Sequence, residues 1–148
     1  MPSTGAAVNP LLMRIAALDV GDARIGVAVS DELGITAQGI GVVQRVGGRR
    51  DLEALAQMLA PYTPERIVVG LPLNMNGTEG PQATRVRAFA DKVAAHLGLP
   101  VEFWDERLTT VAAERILLEG DLSRRRRREL VDRVAATLIL EGFLARRQ

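Results

Sequence analysis

The chain lacks cysteine and has a single histidine, and these two scarcities remove several kinds of active site. Without cysteine there can be no disulfide, no thiolate zinc site and no cysteine nucleophile. The one histidine, His96, falls in a helical pattern with no acid–serine constellation near it in sequence, which argues against a Ser-His-acid triad. Aromatic residues make up only 3% of the chain, which weakly disfavours a surface built to stack single-stranded bases.

Long hydrophobic runs are also missing. No stretch reaches the roughly 18 consecutive apolar residues that indicate a membrane-spanning helix, so we expect no contact with a membrane. The first residues do not show a basic segment followed by an apolar core, which is the pattern of a secretory signal. The composition, with 47% hydrophobic and 25% charged residues, is typical of a soluble globular protein, and we expect a cytoplasmic location.

The length of 148 residues is enough for one domain with a substantial core. Residues 1–12, MPSTGAAVNPLL, are mostly small, aperiodic and interrupted by proline and glycine. We expect this segment to be a flexible tail. Residues 13–148 are then expected to form a single domain.

The most informative stretch is residues 13–30, which read MRIAALDVGDARIGVAVS. Two apolar runs, 14–20 and 24–30, are separated by three residues, which predicts antiparallel strands joined by a tight turn. Asp19 lies in the first run, where an acid is costly to bury unless something pairs with it. Gly21 and Gly26 would let a ligand or another backbone approach closely. A metal-bound phosphate would explain both features, and an ordinary strand-end aspartate would explain the acid alone.

The rest of the chain continues with short apolar runs and amphipathic segments. Further strands are predicted at 35–46, 66–71 and 101–104, with helices at 51–59, 82–97, 111–119 and 124–145. Gly39 and Gly41 indicate a bulge or an edge position for the third strand, and residues 72–81 are predicted to form an irregular loop rich in asparagine and glycine. This order predicts an α/β fold with one five-stranded mixed sheet, in which three antiparallel strands precede two strand–helix units and helices cover both faces.

Three acids lie at the ends or inner faces of these apolar elements. Asp19 ends the first strand, Glu106 follows the fifth strand, and Asp132 shares a helix face with small and apolar residues. Asp132 taken alone is equally compatible with a side chain that simply reaches water. Together the three acids are candidates for one site, because ligands in open α/β sheets bind at the carboxyl ends of strands.

Four segments resemble the YqgF family, whose members are described as pre-16S rRNA nucleases and as RuvX-type Holliday-junction resolvase-like proteins. The segments are LDVGDARIGVAVS at 18–30, GLPLNMNGTEG at 70–80, DERLTT at 105–110 and VDRVAA at 131–136. The resemblance covers residues 13–143. It implies an RNase H-like fold, in agreement with the strand order above, and acidic catalytic residues at Asp19, Glu106 and Asp132.

Such acids support phosphodiester hydrolysis with two divalent cations. Two metals about 3.5–4 Å apart activate the attacking water and stabilise the leaving oxygen. Oxygen ligands suit Mg²⁺ or Mn²⁺, so Asp19, Glu106 and Asp132 are also the predicted metal ligands. Many relatives of this fold use four carboxylates, and Asp22 or Asp105 could supply another.

The arginines indicate where nucleic acid would bind. All but one of the 19 basic residues are arginine, and five of them form the run 124–128 at the start of the last helix. Cations there oppose the helix dipole, which favours phosphate binding over an idle solvated surface. The predicted nucleic-acid contacts are Arg124, Arg126, Arg128 and the loop residues Asn74, Asn76 and Thr78, with Arg45, Arg49 and Arg50 as accessories.

These features favour a metal-dependent nuclease acting on structured RNA or branched DNA. The resemblance implies maturation of the 5′ end of pre-16S rRNA, with the precursor of the small ribosomal subunit as a partner, or alternatively resolution of branched DNA in recombination and repair. A non-catalytic nucleic-acid-binding protein is a third possibility. An actin-like ATP-binding module is disfavoured, because no second phosphate loop follows Asp19 to Gly21.

Overall fold

The computed structural model describes residues 13–108 and 124–147, with side chains described outside 124–130. Its strands form one five-stranded sheet in the order β3-β2-β1-β4-β5. The strands are β1 Ile15–Val20, β2 Arg24–Ser30, β3 Ala37–Gln44, β4 Arg66–Leu71 and β5 Val101–Asp105. β1 pairs antiparallel with β2 and parallel with β4. β2 also pairs antiparallel with β3, and β4 pairs parallel with β5. The predicted mixed sheet of five strands is confirmed.

Within the described residues three helices cover this sheet: α1 Arg49–Leu59, α2 Pro81–Leu97 and α3 Arg124–Arg147. Short 3-10 turns follow α1 at Ala60–Tyr62 and β5 at Glu106–Leu108. α2 starts with Pro81, which has no backbone N–H. A proline is well tolerated there, because an N–H at the first position of a helix has no partner within the helix. It ends at Gly98, whose φ of 66° is the left-handed conformation that closes many helices.

The helices lie on both faces of the sheet, as predicted. Leu18 of β1 belongs to the core cluster that contains buried residues of α1 and α2. Ala17, its neighbour, belongs to the cluster that contains Ala136 and Ile139 of α3. Successive strand residues point to opposite faces, so Asp19 shares the α3 side with Ala17.

β3 is two residues shorter at each end than the predicted strand 35–46. At its start, the Asp31 carboxylate accepts hydrogen bonds from the backbone N–H groups of Ile35 and Thr36 at 2.7 and 3.1 Å. At its end, Asp51 accepts the N–H of Val46 at 2.9 Å. Carboxylates thus take backbone donors that the sheet ladder would otherwise use. The predicted bulge is present, because the β2–β3 register shifts between Val27 and Ala28.

Two predictions lie outside the described residues: the tail 1–12 and the helix 111–119. In the part of the chain that the structure describes, no helix combines the length and the apolar character needed to cross a membrane.

Asp51 is a buried acid that fastens α1 to the end of β3. Its carboxylate is 1% exposed and also accepts hydrogen bonds from Arg45 Nε at 3.3 Å and from the N–H of Gly47 at 3.2 Å. Burial raises the pKa of Asp51, but the hydrogen bonds from Val46, Arg45 and Gly47 outweigh it and bring the pKa below the ordinary value. Ionised Asp51 therefore stabilises the folded state.

We expect Asp51→Asn to lower the free energy of unfolding by about 2 kcal/mol at pH 7, because one buried N–H partner is lost along with the charge. A depressed pKa gives stability that is complete above the unfolded-state value near about 4 and is lost as pH falls through the folded-state value. The deficit should therefore shrink in acid. Urea unfolding between pH 7 and 3 measures it, with Glu53→Gln, an exposed site on α1, as the control. A deficit that is constant with pH would contradict this role.

Candidate active site

Asp19 is the buried acid at the centre of the candidate site. It is 7% exposed and lies opposite Gly26 in the β1–β2 register. One step beyond the last β1–β4 pair, Leu18 with Val69, its neighbour on β4 is Gly70. Asp19 is thus flanked on both sides by residues without side chains. The sheet therefore has a depression around this carboxylate on the α3 side.

Gly26 lets α3 touch the sheet beside Asp19. A Cβ at Gly26 would overlap the backbone carbonyl of Asp132, and its ideal position lies 3.4 Å from the amide nitrogen of Arg133. The helix backbone therefore rests directly on β2 at the level of Asp19. The sequence predicted a close approach at this glycine, and the approaching group is the backbone of α3.

Gly70 provides the same kind of space for Glu106. Ideal Cβ geometry at Gly70 would place that atom 2.7 Å from Glu106 Oε1 and 2.5 Å from Ile139 Cδ1. Gly70 is the β4 neighbour of Asp19, so Glu106 packs against the strand position next to Asp19, on the α3 side of the sheet. The importance of Gly70 was missed, although its position before the asparagine-rich loop could have indicated it.

Asp132 borders the same depression and forms an ion pair with Arg24. Its Oδ2 is 2.5 Å from Nε of Arg24, and the side chains are 15% and 25% exposed respectively. Arg24 begins β2 two residues before Gly26, and therefore points to the α3 side as well. We use the name acidic depression for Asp19, Glu106 and Asp132 together with the two glycines, Gly26 and Gly70, against which Asp132 and Glu106 pack. Arg24 was not predicted as a site residue.

The donor chemistry of the acidic depression fits a divalent cation only in part. Asp19 and Glu106 offer carboxylate oxygens of the kind that Mg²⁺ and Mn²⁺ prefer. Among residues 13–108 and 124–147, however, no three Asp, Glu, His or Cys side chains are grouped closely enough to hold a metal ion. Asp132 instead forms an ion pair with Arg24, so a third ligand from this residue requires that pair to open.

The two other acids considered as ligands are engaged elsewhere. Asp22 is exposed in the β1–β2 turn, with an oxygen 3.5 Å from Arg85 Nε. Asp105 accepts hydrogen bonds from the Arg107 guanidinium, at 2.7 Å from Nη2, and from the Arg107 backbone N–H. The side-chain hydrogen bond from Arg107 is the main reason that the pKa of Asp105 lies below its ordinary value.

The asparagine-rich loop is held together by its own polar groups. Asn74 Nδ2 and the Thr78 hydroxyl are 3.0 Å apart, and Thr78 also donates to Asn76 Oδ1 at 2.6 Å. Arg107 Nη1 donates to the carbonyl of Met75 at 3.2 Å, which ties the loop to the residue after Glu106. Asn74, Asn76 and Thr78 are exposed, so they remain available to an incoming strand.

The structure separates the predicted basic residues into different roles. The backbone of 124–128 forms the first turns of α3, but the side chains of Arg124, Arg126 and Arg128 lie outside the described residues. Arg45 contacts Asp51, donates to the carbonyl of Gly21 at 2.8 Å and stacks on Phe89, with its Cζ 4.4 Å from the ring centroid. Arg45 is therefore a structural residue, whereas Arg49 and Arg50 are exposed.

Comparison of the whole chain with protein families gives one clear likeness. Residues 13–146 match the family model described as "RuvX: Holliday junction resolvase". A Moorella thermoacetica protein named "Putative pre-16S rRNA nuclease" is 60% identical, over 90% of this chain and 96% of its own length. A protein of the same name from Symbiobacterium thermophilum is 56% identical over 89% of this chain and 92% of its own length.

Solved structures show the same architecture at low sequence identity. Thermus thermophilus RuvC, in complex with a Holliday junction substrate, superposes with a TM-score of 0.56 at 18% identity, covering 91% of this chain and 96% of RuvC. The fowlpox virus Holliday junction resolvase gives a TM-score of 0.53 at 15% identity, covering 92% of this chain and 100% of that protein. At this identity the likeness supports the RNase H-like fold alone.

Proposed function

Because the chain belongs to the RuvX family and is therefore a phosphodiester-cleaving nuclease, we propose that it matures the 5′ end of pre-16S rRNA in a metal-dependent reaction. The proposal of this substrate is supported by relatives that share 52–60% of its sequence and are named "Putative pre-16S rRNA nuclease". The precursor of the small ribosomal subunit is then the partner that the protein meets.

The observation that carries the proposal is that the two strand neighbours of Asp19 are glycines, one covered by Glu106 at Gly70 and the other by the backbone of Asp132 at Gly26. We propose these three acids as the catalytic and metal-binding residues, with Mg²⁺ or Mn²⁺ as the ion. Bound cations would lower the pKa of a coordinated water and neutralise charge on the leaving oxygen. Strand pairing holds the backbone of Asp19, and the 3-10 turn holds that of Glu106.

A histidine base is absent from this site. His96 lies in the last turn of α2, on the face of the sheet opposite to the acidic depression. The site therefore lacks an imidazole, the side chain whose ordinary pKa lies near neutrality, as a general base. This arrangement favours carboxylate-held metal ions as the source of an activated water.

For substrate binding we propose the basic start of α3 and the asparagine-rich loop. Arg124, Arg126 and Arg128 would contact phosphates, and such contacts make affinity fall steeply with salt. Asn74, Asn76 and Thr78 offer amide and hydroxyl groups to sugar and phosphate oxygens. Arg107 connects this loop to the end of β5, because its side chain donates to the carbonyl of Met75 and its backbone follows Glu106. Binding of nucleic acid by the loop would therefore be linked to the position of Glu106.

Resolution of branched DNA is the second candidate function. It is favoured by the description of the family model and by the fold shared with RuvC. The same acids and basic helix start would serve either backbone, because hydrolysis is directed at a phosphodiester in both.

A substrate panel separates the two candidates. We expect Mg²⁺- or Mn²⁺-dependent cleavage of an RNA containing the 5′ leader and start of 16S rRNA, at least tenfold faster than cleavage of a synthetic four-way DNA junction. Gel analysis of end-labelled substrates measures both rates. Glu106→Gln, purified in parallel, controls for contaminating nucleases. Faster cleavage of the junction would replace the rRNA assignment with the second candidate.

A further inference from the structure

The ion pair between Arg24 and Asp132 is the feature of the acidic depression that hydrolysis alone does not explain. Its 2.5 Å separation joins β2 to α3 across 108 residues of sequence, and both side chains are mostly buried. A carboxylate held this way is already neutralised by a guanidinium. It is therefore a poorer ligand for a cation than a carboxylate that is open to it.

The guanidinium itself has the chemistry to take a phosphate. Arginine presents five N–H donors in a planar fork that matches a phosphate in two parallel hydrogen bonds. The contact to Asp132 is made through Nε, and one quarter of the Arg24 side chain remains exposed. Arg24 is two residues from Gly26 on β2, so it lies on the same face of the sheet as Asp19.

We propose that Arg24 is a substrate-sensing positioning residue that exchanges Asp132 for a phosphate of the nucleic acid. Without substrate, Arg24 holds Asp132 away from the metal ligands Asp19 and Glu106. When a phosphate takes the guanidinium, Asp132 is released and completes the metal site. No covalent bond changes in this exchange. The inference rests on the proposed function, because it assumes that the acidic depression binds metal and nucleic acid.

The exchange makes the binding of metal and of nucleic acid cooperative. Each ligand removes one partner of the same ion pair, so each lowers the cost of binding the other, and the effect must be reciprocal. The complete metal site would then form preferentially when nucleic acid is bound. A merely structural ion pair would produce no such coupling.

The test measures binding of each ligand without the other. We expect Arg24→Gln to bind Mn²⁺ about five to ten times more tightly than wild type in the absence of nucleic acid, by titration calorimetry or Mn²⁺ electron paramagnetic resonance. In EDTA, the same variant should bind the rRNA leader fragment about three to ten times more weakly. A purely structural role would not move the two affinities in opposite directions.

Arg66→Gln is the matched control. Arg66 also begins a strand and pairs with an acid, with Nη1 2.7 Å from Glu102 Oε2, but at the opposite end of the sheet from Asp19. This variant should leave both affinities within twofold of wild type. Unchanged or weaker Mn²⁺ binding by Arg24→Gln would overturn the proposal.

A second variant covers the case in which Arg24→Gln does not fold. Arg24→Lys keeps the charge near Asp132 but lacks the planar fork, so Mn²⁺ affinity should stay within threefold of wild type while RNA affinity falls at least threefold. Wild-type RNA affinity in Arg24→Lys would also overturn the proposal. Both assays are independent of cleavage. If Arg24→Gln binds Mn²⁺ more tightly and RNA more weakly, but the wild-type protein cleaves neither substrate of the panel, the role of Arg24 would stand and the proposed nuclease reaction would be wrong.

Discussion

Asp19→Asn is expected to reduce the cleavage rate at saturating substrate at least about a thousandfold while the protein stays folded. Asp19 is 7% exposed and its strand neighbour Gly70 is covered by Glu106, so the change removes one of the carboxylates that we propose to hold the cation. Asparagine has nearly the same size and shape as aspartate, but it has no negative charge with which to bind a cation. Removing one of two adjacent carboxylates also relieves repulsion in the metal-free protein, so thermal stability should be equal or slightly higher.

Asp22→Asn is the matched control for this prediction. Asp22 is three residues further along, exposed in the turn and close to Arg85 rather than to the other acids. It should cleave within twofold of wild type. Single-turnover rates for both variants, with circular dichroism melts, decide the matter. Activity of Asp19→Asn within tenfold of wild type would contradict the assignment of this acid to the metal site.

The elements around Asp19 could be predicted because their residue patterns are local. The strand predicted at 24–30 coincides with Arg24–Ser30, and the one predicted at 66–71 with Arg66–Leu71, since β-branched runs bounded by turn residues leave little choice. The acid within the apolar strand and the glycine at 26 indicated a special site before any partner was known. The local pattern could not predict which group packs against Gly26, because that group, the backbone of Asp132, is distant in sequence.

The partners of the site residues depend on contacts that are distant in sequence. Arg24 meets Asp132 only because α3 crosses β2, and nothing near either residue indicates the other. Arg45 was predicted as an accessory phosphate contact, yet Asp51 and Phe89 occupy its guanidinium. An arginine is equally suited to phosphate, carboxylate and aromatic rings, so its role is decided by what the fold places beside it.

Gly26→Ala is expected to lower the free energy of unfolding by about 3 kcal/mol, at the upper end of the cost of overpacking a core. The new methyl group would occupy the position of the Asp132 carbonyl, and backbone can make room only if α3 moves away from β2. Elsewhere in a strand the same substitution would stabilise by about 0.5–1 kcal/mol, because alanine loses less chain entropy than glycine. The sign of the effect therefore tests the close approach. Displacement of Asp132 should also reduce cleavage at least about a hundredfold.

Gly41→Ala is the control that separates backbone contact from simple crowding. Gly41 lies on the neighbouring strand β3, and its added Cβ would meet the end of a flexible side chain, at 3.1 Å from Met58 Cε and 3.3 Å from its sulfur. Methionine can turn aside, so this variant should stay within about 1 kcal/mol of wild type and retain activity. Urea unfolding and cleavage rates of both variants measure the difference. Equal stability of the two, with normal cleavage, would mean that α3 does not rest on β2 at Gly26. The third acid would then have no fixed place beside Asp19.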